Sequence, residues 1–185
     1  MERNDFTIES QFDGLEIKVV VMVPDTQVRG VVQFAHGMAE HKERYFDFMK
    51  YLAAAGFVTV IHDHRGHGES VRSPEDLGYF YDKDGRAVVE DLHQIALAVQ
   101  EMYPQKPYIL FGHSMGSLVA RCYAKKYDSY LDKLILCGPP AKNGLISVAL
   151  WLARQIENRK GDRHRSQLLN RLALGSYERM GEKGQ

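Results

Sequence analysis

Gly112-His113-Ser114-Met115-Gly116 is the stretch on which the reading of the whole chain turns. A compact apolar run, Tyr108-Ile109-Leu110-Phe111, stands before it, and Ser117 to Tyr123 after it has the composition of a helix. Strand, sharp turn and helix in that order are the setting in which G-x-S-x-G becomes a nucleophile elbow. The spacing has a steric reason. A serine on so tight a turn sits in strained backbone geometry, and the residues two before and two after it must lack side chains for strand and helix to close. Ser114 then stands exposed at the carboxyl end of a strand. The helix beginning beside it aims its free N–H groups and positive end at the same spot, which suits an oxygen gaining negative charge. The plain alternative is a glycine-rich turn; the flanking strand and helix favour the catalytic reading.

Outward from the elbow, the pattern predicts strands and helices in alternation. Gly30 to Ala35 and Val58 to Ile61 are short apolar runs that read as strands, and Lys133 to Cys137 is a further strand stopped by Gly138-Pro139-Pro140. Between them Phe48, Met49 and Leu52 fall at helical spacing before Gly56, and Val88, Leu92, Ile95, Val99 and Met102 mark one apolar helical face ending before Pro104. From about residue 30 to 140 this is the signature of an α/β domain with a mostly parallel sheet covered on both faces. The beginning differs: Phe6–Gln11 and Glu16–Val23 flank Asp13-Gly14, a hairpin signal, and predict an antiparallel start. Residues 71–84 are turn-rich. After Pro140, Leu145 to Ile156 reads as a helix apolar around most of its surface and carrying the single tryptophan, Trp151; Arg159 to Arg165 reads as a basic loop, and Leu168, Leu169, Leu172 and Leu174 suggest one more helix.

Composition narrows the function classes. At 185 residues the chain is long enough to bury a core as one domain. Its 24 basic and 24 acidic residues balance, which leaves no electrostatic case for nucleic acid or an anionic membrane. Met1 to Asp5 lacks the basic and then apolar regions of a secretory signal, and the longest apolar stretch, Leu145 to Ala153, is interrupted by Ser147 and too short for stable membrane insertion. Cys122 and Cys137 have no metal-type spacing and are expected as buried, reduced thiols of a cytoplasmic protein.

An acyl-transfer serine needs a base, a group that orients the base, and donors for the oxyanion. The expected donors are the backbone N–H of Met115, which follows the nucleophile, and that of Met38 in the loop after the third strand, where Gly37 lets the backbone turn in close. Asp63, His64 and His67 invite a metal or triad interpretation, but the glycines among them favour a tight structural turn, with Asp63 and Arg65 tying loops together. Glu40 and His41 read as a loop-ordering pair. Asp91 and His93, two apart on a helix, point to different faces and are not partners. No metal or cofactor is expected.

Together, His36-Gly37-Met38-Ala39-Glu40-His41, Asp63-His64-Arg65-Gly66-His67-Gly68-Glu69-Ser70 and Gly112-His113-Ser114-Met115-Gly116 resemble, in order and spacing, the α/β-hydrolase superfamily. The likeness is to its monoacylglycerol lipase, lysophospholipase and serine aminopeptidase branch. It implies a cofactor-free serine ester hydrolase acting on a small lipid-like substrate. It implies also that residues 1–140 are the N-terminal part of the hydrolase core and 141–185 the start of a helical cap or lid, with Trp151 and Leu145 placed to contact the acyl chain. Ser117 departs from the resemblance, standing where relatives often have another glycine. A larger departure lies after Ser114. The family draws an acid and then a histidine from later strand ends, whereas His164 is the one later histidine here and Asp162 is its close neighbour. The chain therefore reads as an incomplete hydrolase, its acid and base supplied by a missing C-terminal segment or a second chain. Three other readings stay open: a catalytically inactive hydrolase-like binding protein, a small-ester or peptide hydrolase of the same fold, and a cap helix whose Trp151 lies on a membrane surface.

Overall fold

A computed structural model describes residues 1–140, 146–164 and 166–167, with the backbone alone for 146–149. The chain divides into two compact units, Met1–Pro140 and Ala141–Gln185.

The first unit is built on a six-stranded sheet. Its strands are β1 (Glu2–Glu9), β2 (Glu16–Val23), β3 (Gly30–Ala35), β4 (Phe57–His62), β5 (Tyr108–His113) and β6 (Lys133–Cys137), and the spatial order is β1-β2-β4-β3-β5-β6. The hairpin β1–β2 is antiparallel and β2 also meets β4 antiparallel. From β4 onward every pair is parallel. The antiparallel start and parallel centre follow the sequence expectation; β1 begins four residues earlier than its apolar run because pairing with the whole of β2 carries Glu2 to Asp5 into the ladder.

Helices cover both faces: α1 (Phe46–Ala54), α2 (Ala87–Met102) and α3 (Met115–Tyr127). The alternation along the strands decides which side each residue serves. Val19, Val21, Val31, Val58 and Val60 join Leu92, Ile95 and Val99 of α2 and Val119, Ala120 and Tyr123 of α3 in one buried cluster. Their sequence neighbours Val20, Met22, Val32, Phe34 and Ile61 face the other way and pack with Met49 and Ala53 of α1. Each fully buried side chain of this kind contributes about 1.5–3 kcal/mol. Gln33 is the polar exception on its face, satisfied by Leu92 O at 3.2 Å and by the Tyr108 hydroxyl.

At the sheet edge, β6 pairs with β5 alone among the described residues, and all five of its residues are exposed. Leu134, Ile135 and Leu136 thus present an open apolar strand. Both cysteines are exposed as well, which corrects the expectation of buried thiols. Cys122 lies on the outward side of α3, and Cys137 closes the uncovered strand.

In the second unit, α4 spans Ile146–Lys160, so Arg159 and Lys160 belong to the helix rather than to a basic loop. Basic side chains in a last turn complement the helix dipole, which accounts for the extension. Leu150 and Trp151 are exposed on α4. Leu145 and the leucines from 168 to 174 lie outside the described residues. Among the described residues no helix is long and apolar enough to cross a membrane.

Candidate active site

Ser114 sits between β5 and α3 with φ 51° and ψ −117°. A positive φ is costly for a side-chain-bearing residue, about 1–3 kcal/mol, and persists only where neighbours fix it. Several neighbours do. The Ser114 N–H donates to Cys137 O at 2.9 Å, and its carbonyl accepts from Ser117 N–H at 3.0 Å. Although Ser114 occupies the position before the helix, its hydroxyl makes no cap bond. The left-handed turn carries it away from the helix amides that a serine in this position usually binds.

The two flanking glycines are required by close approach. A Cβ on Gly112 would lie 2.5 Å from Gly116 O, and one on Gly116 would lie 2.0 Å from Ala35 O and 2.6 Å from His36 O. The elbow is therefore pressed onto itself and onto the end of β3. Parallel pairing of Ala35 with Gly112 puts the loop after β3 beside the elbow, at the same carboxyl end of the sheet. A Cβ on Gly37 would stand 3.3 Å from Cβ of Ser114.

The loop carrying Met38 is held at the peptide just before it. Glu40, almost fully buried, reaches back so that its Oε1 accepts the Gly37 N–H at 2.7 Å. His36 is buried, with Nδ1 2.7 Å from Gly37 O and Nε2 accepting the His64 N–H at 2.9 Å. Since Nε2 accepts, the proton resides on Nδ1 and is donated to the Gly37 carbonyl. Burial lowers the His36 pKa to about 4, which keeps the ring neutral and this tautomer in place. In a trans peptide, C=O and N–H point in opposite directions. Binding Gly37 O to His36 therefore turns the Met38 N–H away from that ring. Neither the Met38 nor the Met115 amide has a hydrogen-bond partner among the described residues.

Glu40 also ties this loop to the elbow. Its Oε1 lies 2.9 Å from Nδ1 of His113 and accepts the Tyr45 hydroxyl at 3.1 Å. Burial raises the Glu40 pKa, but the hydrogen bonds from His113, Gly37 and Tyr45 outweigh it and leave the carboxyl below its usual range. The sequence reading paired Glu40 with His41; instead His41 meets Glu43 at 2.6 Å, because Glu40 turns inward. This backward reach to an amide three residues earlier caps no helix, since the first helical turn begins only at Lys42, and no local sequence signal announces it.

Within the Asp63–Ser70 stretch, Asp63 and Arg65 tie neighbouring loops together, as the tight-turn reading has them. Asp63 accepts from Lys42 N and Nζ, both at 2.8 Å, and from Glu69 N at 3.0 Å. Arg65, fully buried, binds Asp91 at 2.7 Å and Asp13 at 3.2 Å, and donates to Phe80 O at 3.1 Å. Asp91 and His93 are indeed not partners: His93 lies 3.2 Å from the Tyr123 hydroxyl. His67, His36, His64 and His62 pack ring to ring in a row. No group of three possible ligands among the described residues is arranged to hold a metal ion. Nor does any described histidine hydrogen-bond the Ser114 hydroxyl.

A mostly parallel sheet with an antiparallel start, helices on both faces and a strained serine at a strand-to-helix turn define the α/β-hydrolase class. Residues 26–177 match the family described as serine aminopeptidase, S33, and the chain belongs to that family. It is 35% identical over 143 residues to the monoacylglycerol lipase of Mycolicibacterium smegmatis, a match covering 76% of this chain and 49% of that protein. Monoglyceride lipase of Rattus norvegicus is 30% identical over 116 residues, covering 63% of this chain and 37% of the relative. Among solved structures, a thermostable carboxyl esterase from Bacillus coagulans in complex with glycerol superposes with a TM-score of 0.79 at 33% identity, covering 92% of this chain and 55% of that one. The chain thus spans about half the length of these relatives, or less.

Proposed function

We propose that the chain is part of a serine ester hydrolase for lipid-like esters, of the monoacylglycerol lipase or lysophospholipase type. Ser114 is the nucleophile: its hydroxyl attacks the ester carbonyl, and the Met38 and Met115 N–H groups hold the oxyanion that forms. The observation that carries this reading is the backbone of Ser114, φ 51°, strained at a turn whose glycines admit no Cβ, with its hydroxyl making no cap bond to the helix it precedes. The similarity to a monoacylglycerol lipase supports the substrate class. In this proposal residues 1–140 are the N-terminal part of the catalytic core, 141–185 begin a cap, and the enzyme works in the cytoplasm. Trp151, exposed on α4, contacts the acyl chain, and Leu145 is assigned the same task. The base and the acid that orients it come from a further segment or second chain that adds to the open edge of β6.

The test is covalent capture. A serine-directed fluorophosphonate should add one equivalent to the wild-type chain, slowly, at Ser114, and none to Ser114→Ala. Without a base the 185-residue chain should retain only the residual catalysis of a damaged triad, about 10³–10⁴ over water, on p-nitrophenyl esters. A version carrying a late acid and histidine should be fully active and should prefer longer acyl chains, since each buried methylene is worth about 0.8 kcal/mol. Trp151→Ala should flatten that preference. Capture at another residue sinks the nucleophile assignment. Capture at Ser114 with no turnover by the extended protein favours the binding-protein reading, and activity that peaks at acetate favours a small-ester or peptide hydrolase.

A further inference from the structure

Ser117 does more than fill space. It is completely buried in the first turn of α3, and its hydroxyl reaches two carbonyls, Gly112 O at 2.8 Å and Cys137 O at 3.0 Å. These carbonyls lie toward the ends of two neighbouring parallel strands, β5 and β6. The same Cys137 carbonyl accepts the Ser114 N–H at 2.9 Å. A serine hydroxyl has one proton to give, so it is shared between the two acceptors. Both belong to backbone that bounds the elbow: Gly112 begins the turn, and Cys137 holds the amide of its strained residue. From this we infer that Ser117 is a positioning residue, whose hydroxyl laces β5, β6 and α3 together and so fixes the backbone of Ser114.

The physical case rests on what else holds that backbone. A residue at φ 51° relaxes toward ordinary geometry unless its surroundings over-determine it. The contact of Gly116 with Ala35 and His36 fixes the helix side of the turn. On the β6 side, Cys137 is the last residue of an exposed edge strand, with no described strand beyond it. Its carbonyl is the acceptor for the Ser114 N–H, so a shift of Cys137 moves the nucleophile's amide. Ser117 is the buried side chain that grips that carbonyl from the helix.

This inference rests on the reading of Ser114 as nucleophile, and the test separates the two. Wild type, Ser117→Ala and Ser117→Gly are compared by amide hydrogen exchange resolved at Ser114, by thermal unfolding, and by the rate and concentration dependence of fluorophosphonate labelling. Loss of the hydroxyl should speed exchange of the Ser114 amide at least fivefold, with β3 and β4 unchanged. It should also lower the limiting labelling rate three- to tenfold without changing the half-saturating phosphonate concentration. Ser117→Gly supplies the comparison should Ser117→Ala not fold. Exchange and limiting rate within twofold of wild type, in a folded variant, overturn the inference even if the unfolding temperature falls. A wild-type chain that takes up no phosphonate overturns the nucleophile reading instead, and the exchange rates alone then decide whether Ser117 holds the turn.

Discussion

Mild acid should unfold this protein well before its carboxylates are neutralised, because its buried histidines cannot accept protons in place. His36, His62 and His64 are inaccessible and His67 nearly so. Burial lowers the pKa of His36 to about 4 and that of His62 to about 3, and it pushes His64 and His67 down as well. Neighbouring imidazoles add to the effect at His62 and His64. The sign follows from linkage: unfolded histidines bind protons below about pH 6.5 while the folded ones do not, so stability falls as pH falls. Each such group removes up to about 1.4 kcal/mol per pH unit. By pH 4, His36 and His62 alone account for about 6 kcal/mol, obtained from their folded values against an unfolded value of 6.5. That rivals the whole stability of an ordinary domain, about 5–15 kcal/mol. Asp91, whose carboxyl burial raises, works in the opposite sense. Urea unfolding from pH 7.5 to 4.5, followed by far-ultraviolet circular dichroism, should show a roughly flat stability above pH 7 and a steep loss below pH 6. Replacing His62 with Phe, similar in shape and unable to titrate, should reduce that slope. A stability constant between pH 7 and pH 5 would refute the reasoning, since it would mean the imidazoles are protonated or solvated in the folded state.

Gly116→Ala sets a Cβ 2.0 Å from a backbone oxygen that cannot move aside, and should cost at least about 3 kcal/mol by chemical denaturation. Gly85→Ala, where a Cβ meets nothing but φ is +67°, should cost only about 1–2 kcal/mol. Arg65→Ala leaves the Asp91 carboxylate buried without its partner, and a loss of about 3–5 kcal/mol is expected; a loss under 1 kcal/mol would show that water replaces the guanidinium. Glu40→Gln keeps the shape of the side chain but weakens a charge-assisted bond to the Gly37 amide. It should slow phosphonate labelling of Ser114 about tenfold, corresponding to about 1.4 kcal/mol, with little change in fold. Labelling unchanged by that variant would separate the loop's geometry from the reactivity of the serine.

How much of this could be read from residues alone depended on whether the determinant was local. Apolar alternation, period-four spacing and turn residues report the environment of a segment itself, which is why β2, β3 and β6 fall where their runs of Val, Ile and Leu predict. The G-x-S-x-G pattern is local in the same sense, and its glycines point to close approach even before the partners of Gly116 are known. What stayed hidden was contact between segments far apart in sequence. Nothing near Glu40 announces that His113, 73 positions later, will stand beside it. Nothing near Ser117 reveals that the carbonyl of Cys137 lies within reach of its hydroxyl. Likewise the exposure of Cys137 is a property of the sheet edge, not of a strand that reads as apolar. The side chains that hold the candidate nucleophile in its strained turn belong to this hidden class. A tight turn can be recognised from its own glycines, but the forces that keep it strained come from the three strands and one helix that converge on it.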